Sequence, residues 1–488
     1  MRTKHLLLFF AVLVTGGFTA MKTATSDWDQ AATVKETVET SGETRVMDVA
    51  KGAEFNTSDL QAVRLQLKTA LTSQTTNDLI WRFLGPNNVA GRVRGIVIDR
   101  ENPSVMYAGG ASGGVYKSET YGQYWFPVGT NYSAGVVGVT SMIQASDNTI
   151  YATTGEAFPD FRFGVQDAKS YAGVGVFKLS PGGTEFEHLE TTDPINNEDF
   201  FGIIELAVDP NNSSNLYMTT WKGVYKSIDA GTTWNLVEGL PTGYATGVEI
   251  SSSGTVIVAV AENVYVNNGS GFVQVSGTED KMIDTGGVRF KFAVAPSQPD
   301  YIYAIGADSL GALLGVYRST EKGAPGTWET IGLGGSDEFA VFKRTHTSRG
   351  NEIIEREGIL SMAIAVDIND PNYVYVGGMD LWAGYHVQNV EPFQWLRKTY
   401  YNHAKYLSAY MTSNIHEIVE HPNGSLFIAT DGGVFRFNPE TLAVKMSSYL
   451  NTVQAYSVAF GPSGEIAVGT EDNGILYNDF SGVESQNF

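Results

Sequence analysis

The 488-residue chain contains no cysteine. That excludes disulfides, thiolate metal sites and a bacterial-type N-terminal lipid acceptor, so stability must come from packing. Positive charge is scarce: 32 Lys and Arg stand against 53 Asp and Glu, a formal charge of -21. A phosphate backbone is repelled by such a surface, and nucleic acid is not an expected partner. Charged residues of either sign make up only 17% of the chain, too few for long solvated helices. The apolar run after the basic start MRTKH is broken by Gly16 and Gly17, which leaves it shorter than the roughly 20 residues of a spanning helix.

That same start has a basic n-region, an apolar stretch and small residues near Ala20, the pattern of a secretory signal peptide over residues 1–20. Localisation is therefore expected to be extracellular or at the outer cell surface, and not membrane-spanning. Residues 21–79 read as a polar, acidic leader. Within it Leu60, Val63, Leu67 and Leu71 recur at helical spacing and predict one short amphipathic helix over 57–71.

What is abundant is glycine, at 54 residues, with 12% aromatics. From Trp81 onward, apolar runs of Val, Ile, Tyr and Phe alternate with Gly, Asn, Asp and Pro clusters, the sign of short strands joined by tight turns. Aligning them exposes a repeat of roughly 35 to 60 residues, with units starting near Val93, Gly138, Phe201, Gly247, Val288, Leu360, Ile415 and Tyr456. Each unit has a buried strand, an Asx turn, a second strand such as Leu216-Tyr-Met218, a glycine and a third strand such as Gly223-Val-Tyr-Lys-Ser227. The prediction is an all-β fold: a β-propeller of seven or eight four-stranded blades over 80–488. The eighth unit stops after three strands. Either a strand from residues 80–84 completes the last blade, or the blades belong to a longer parent chain.

One local motif is sharp. Ser227-Ile-Asp229-Ala-Gly231-Thr-Thr-Trp234 follows the Asp-box pattern S-x-D-x-G-x-x-W, with degenerate copies at Ser118 to Trp125 and Ser319 to Trp328. Its expected role is structural: Asp caps turn N–H groups, Gly supplies positive φ and Trp packs beneath the hairpin. Residues 84–99 and 107–118, Tyr151-Ala-Thr-Thr-Gly-Glu156, Asp431-Gly-Gly-Val-Phe435 and Gly469-Thr-Glu-Asp-Asn-Gly474 follow in an order that resembles secreted BNR/Asp-box repeat propellers. These are the sortilin-like and xyloglucanase-like propellers common in Bacteroidota.

The resemblance implies an enzyme only if the catalytic carboxylates are present. Where the xyloglucan-cleaving relatives carry an Asp before the first Gly-Gly turn, this chain has Ala111, in Ala111-Ser-Gly-Gly114. The F-R-I-P-like strand of sialidases is absent as well. The remaining polar candidates for ligand binding are Arg92, Arg94, Glu156, His416, Asp431 and Asp472, with Glu471 and Asn473 beside them. Two readings of these stay open: a ligand site at the central channel, or ion pairs and caps of glycine turns. Trp382, Trp395, Tyr400 and Tyr401 are candidate stacking surfaces for sugars where they lie exposed, and blade packing explains Trp395 at least as well. No cofactor is expected: there is no H-E-x-x-H or EF-hand loop, and calcium on a surface loop has no motif behind it. The functional expectation is a non-catalytic secreted or cell-surface propeller binding a polysaccharide or protein partner. A glycoside hydrolase and a structural subunit assembling with other surface proteins are the alternatives.

Overall fold

The computed structural model describes residues 35–40, 43–48, 87–128, 138–155, 173–335, 339–348, 351–387, 390–402, 409–438, 442–462, 464–478 and 486–487. The signal segment, the predicted helix over 57–71 and the closing strand over 80–84 lie outside them. The chain divides into two units, Met1–Phe83 and Leu84–Phe488. In the first, Lys35–Thr40 and Glu43–Asp48 pair as an antiparallel hairpin, in a stretch where the sequence signalled only a polar leader.

Among the described residues, the second unit contains eight four-stranded antiparallel sheets, each a meander of consecutive strands. Seven form a propeller ring, with blades over residues 93–127, 139–188, 203–236, 245–274, 287–333, 363–397 and 417–445. Blade 3 shows the plan: Ile203–Val208, Leu216–Thr220, Gly223–Ser227 and Asn235–Leu236 run from the axis outward. Its second strand is buried at every residue, and its fourth is exposed at both. Inner strands are covered on both faces by neighbouring blades, so they read as continuous apolar runs instead of alternating ones.

Seven hydrophobic clusters join consecutive blades. Val97, Val139, Met142 and Ile150 join blades 1 and 2, and Tyr303, Ile305, Ile364 and Val374 join blades 5 and 6. The decisive cluster joins blade 7 to blade 1, where Phe427, Ala429 and Val434 pack on Val93, Ile96, Met106 and Trp125. The ring thus closes at seven blades. Polar contacts lock the seam: Trp125 Nε1 donates to Met446 O at 2.8 Å and Tyr116 Oη to Asn451 O at 3.0 Å. Thr452 Oγ1 both accepts from Gly91 N and donates to Gly91 O, each at 3.0 Å.

The eighth sheet, Ala455–Phe460, Ile466–Thr470, Ile475–Asn478 and Gln486–Asn487, has a fourth short strand beyond the three expected. Its inner strand is largely exposed, whereas those of the ring are buried.

The Ser-x-Asp-x-Gly-x-x-Trp turn acts as a folding device. Asp229 Oδ1 accepts from Thr233 N at 2.8 Å, and Ser227 Oγ accepts from Gly231 N at 2.9 Å. Gly231 sits at φ 87°, where a side chain is strained. The degenerate copies keep the serine contact, to Gly122 N at 3.0 Å and Gly323 N at 3.1 Å. In the first, Thr120 Oγ1 replaces the missing Asp, accepting from Tyr124 N at 3.0 Å.

Because Thr452 satisfies both backbone groups of buried Gly91, Thr452→Val should leave them unpaired and cost about 1–3 kcal/mol. Thermal unfolding should show a lowered Tm that Thr452→Ser restores. An unchanged Tm in the valine variant would remove this contact from the closure.

Candidate functional site

The inner strands of blades 1 to 5 share a β-bulge at the same place. The skipped residues are Arg94, Thr140, Ile204, Thr246 and Val288. A bulge re-aims the extra side chain. Four of these residues, Arg94, Thr140, Ile204 and Thr246, line one small cavity with Glu205, Arg289, Lys291 and His416. The cavity has room for about one water molecule, so among the described residues this part of the axis is filled by polar side chains.

Five of the six predicted site residues meet at this axis. Arg92 Nε lies 2.6 Å from Asp431 Oδ1, and its Nη2 lies 3.0 Å from Asp472 Oδ2 and 3.4 Å from Glu471 Oε1. His416 Nε2 contacts Asp431 Oδ1 at 2.7 Å, and Arg94 Nη1 contacts His416 Nδ1 at 3.0 Å. Asn414 Nδ2 donates to Asp431 Oδ2 at 2.6 Å. Glu156 lies outside the described residues.

Partner chemistry fixes the histidine tautomer. A guanidinium only donates, so Nδ1 of His416 must accept from Arg94, and the proton sits on Nε2, which donates to Asp431. Burial, reinforced by Arg94, pulls His416 down to about 3, so the ring is neutral at physiological pH. Burial alone would push the Asp431 carboxyl up, but His416, Arg92 and Asn414 overcome it and hold the group well below the usual carboxylate range. Asp472 is pushed upward by burial and by the nearby Asp431 charge. Asp431 therefore serves as a buried counter-ion, and its side chain is only 2% exposed. Both ring nitrogens of His416 are engaged, so it has no position from which to act as a general base on a bound substrate.

Several axial charges carry no motif. Lys291 Nζ lies 3.0 Å from Glu417 Oε2 and 3.4 Å from Glu205 Oε1. Buried Arg289 donates to Ile359 O, and Arg94 Nη1 to Leu360 O at 2.7 Å. Arginines from blades 1 and 5 thus grip adjacent carbonyls of the turn that enters blade 6. The available signal was a charged residue inside an otherwise apolar inner strand, as in Ile204-Glu-Leu206, Val248-Glu-Ile250 and Phe290-Lys-Phe292.

The tryptophans proposed as sugar platforms serve packing instead. Trp382 is 7% exposed within the core between blades 5 and 6. Trp395 packs on that core and donates from Nε1 to Ile331 O at 2.7 Å. Among the described residues His188, Glu190 and Asp193 could together hold a metal ion, a cluster that no sequence motif signals.

The chain matches no model of a known protein family and no curated protein. Its fold is shared with solved glycoside hydrolases. The GH74 xyloglucanase from Xanthomonas campestris superposes with a TM-score of 0.55 at 16% identity, over 81% of this chain and 60% of that one. The GH74 enzyme of Niastella koreensis gives 0.54 at 18%, over 81% and 60%. An ancestral GH74 enzyme gives 0.57 at 17%, over 84% and 56%. The chain spans about 60% of the length of the first two. At such identity the likeness establishes the propeller fold alone.

Two outcomes follow from the axial charges. Asp431→Asn removes the buried counter-ion of Arg92, leaving it only the more exposed Asp472 and Glu471, and breaking a buried pair costs about 3 kcal/mol or more, so denaturant unfolding should show a marked loss of stability. A near-neutral result would mean the network is not a buried counter-ion system. The second concerns Glu249, whose carboxyl is pushed up to about 8 by burial, with Glu205 and Glu417 adding repulsion. A raised folded pKa gives stability that is full below the unfolded value of about 4.3 and is lost as pH rises toward 8. Glu249→Gln should therefore raise Tm at pH 8 and leave it unchanged at pH 4. An equal shift at both values would refute the assignment.

Proposed function

We propose that the chain is a non-catalytic, secreted propeller that binds a polysaccharide or protein partner on its loop and rim surfaces. The observation that carries this reading is the saturation of the axial carboxylate. Glycoside hydrolysis needs two carboxyl groups flanking an open cleft, the acid with a raised pKa. Asp431 is instead buried, ion-paired and held low in pKa. Ala111, at the place where the resemblance calls for a catalytic Asp, is 5% exposed, so the base expected there has no counterpart.

Secretion rests on the signal-like start of the sequence. Among the described residues, no helix is long and apolar enough to cross a membrane. The hydrolase alternative rests on the GH74 fold alone.

The test is incubation of the purified chain with xyloglucan, following reducing ends and bound polysaccharide separately. The expected outcome is no release of oligosaccharides. Release that disappears in Glu156→Ala, with Tm unchanged, would establish an enzyme and overturn the reading.

A further inference from the structure

The seam between blades 7 and 1 carries a cluster of exposed aromatic rings. Tyr121 is 47% exposed, Tyr124 48%, Phe126 61% and Tyr449 44%. Phe126 and Tyr449 lie with centroids 6.3 Å apart and planes within 16° of each other, and Tyr124 lies 6.2 Å from Tyr449. Single exposed apolar residues need no explanation, but a contiguous group marks an interaction surface.

The rings are rigidly mounted. Along the short outer segment Tyr124-Trp125-Phe126 the side chains alternate: Trp125 is fully buried in the closure core, and its two neighbours face solvent. Tyr124 pairs in parallel with Ser448, and Trp125 N donates to Ser448 O at 3.0 Å. Tyr449 itself sits at φ 64°, a left-handed backbone conformation that is an outlier for a bulky residue. Its N–H donates to Asn87 O at 2.6 Å. A tyrosine held in a strained conformation so that its ring joins an exposed platform is the kind of local cost that accumulates at binding sites.

We propose that Tyr124, Phe126 and Tyr449 form a stacking platform for the hexopyranose rings of a neutral polysaccharide. The inference rests on the binding function proposed above and names its site. Aromatic faces stack on the C–H faces of sugars while the tyrosine hydroxyls remain in water to meet sugar hydroxyls. Charge selects the class. With a formal charge of -21 on the chain, and with the nearby Glu119 already paired to Lys117 at 2.7 Å, it is the net field of the whole molecule that repels a uronate or sulfated chain, whereas a neutral glycan is not repelled.

Affinity electrophoresis of the full mature chain in gels containing xyloglucan, a neutral mixed-linkage β-glucan or polygalacturonate tests this. The wild type should be retarded by at least one neutral polymer and not by polygalacturonate. Phe126→Ala combined with Tyr124→Ala should weaken that retardation at least about tenfold with Tm unchanged. Tyr449→Gly relieves the strained φ, so it should keep or raise Tm while losing affinity, a divergence that a merely structural tyrosine would not produce. Wild-type affinity in both variants would overturn the platform and leave polysaccharide binding standing. A wild type that binds no neutral polymer, or only polygalacturonate, would overturn the glycan proposal and leave the protein-partner form of the function. Loss of affinity only in proportion to lost Tm would assign these residues to folding and overturn the proposal as well.

Discussion

Every other feature of the ring depends on the packing of blade 7 against blade 1. Each inner strand needs apolar neighbours on both faces, and a row of blades satisfies this for its end members only by closing on itself. Six seams join blades adjacent in sequence. The seventh joins residues more than 300 positions apart, as the pairing of Gly91 with Thr452 shows. Burial of Trp125 and the backbone contacts to Met446, Ser448 and Asn451 concentrate there, because no covalent continuity helps that seam form.

Closure also creates the polar axis. Arg92 and Asp431 are separated by 339 residues and are 2.6 Å apart, a contact that exists only once the ring is shut. Bulges aim side chains inward where blades converge, and the cavity they leave there is narrow. Charges there are costly unless each finds its counter-ion. Arg92 has Asp431, Lys291 has Glu205 and Glu417, and neutral His416 bridges Asp431 to Arg94. The axis is thereby a mount that fixes the relative position of blades 1, 3, 5 and 7.

Much of this was legible in the amino-acid order, and the limits have physical causes. Strand starts and turns were readable because period, Gly and Asx signals are local: predicted starts near Val93 and Gly138 correspond to strands beginning at Val93 and Val139. The Ser227 turn was readable for the same reason. Candidate site residues were found by their family-like motifs, but whether they faced an open channel or a filled one depends on how seven blades converge, which no local pattern encodes. Lys291 was passed over because a charge in a buried strand looks like noise until its partners, Glu205 and Glu417, each two blades away, are known. The aromatics failed similarly. Trp395 and Tyr449 each have a polar residue before them and a leucine after, and only the seams decide that one is packed and the other exposed.

The eighth sheet separates local sequence from closure as causes of burial. Its inner strand carries the same bulge as the ring blades, with Tyr456 skipped where Arg94, Thr140 and Thr246 are skipped. In the ring that slot is buried or lines the axial cavity, whereas Tyr456 is 69% exposed. The blade-forming code is therefore the same, and the environment differs because the ring has already closed without this sheet. Among the described residues the sheet makes polar contacts to the ring, through Glu471 and Asp472 on Arg92 and Asn473 Nδ2 on Asp431 O at 3.3 Å. Arg92 is thus shared between the buried counter-ion of blade 7 and the acidic turn of the eighth sheet, so one side chain contacts both the closed ring and the sheet beyond it.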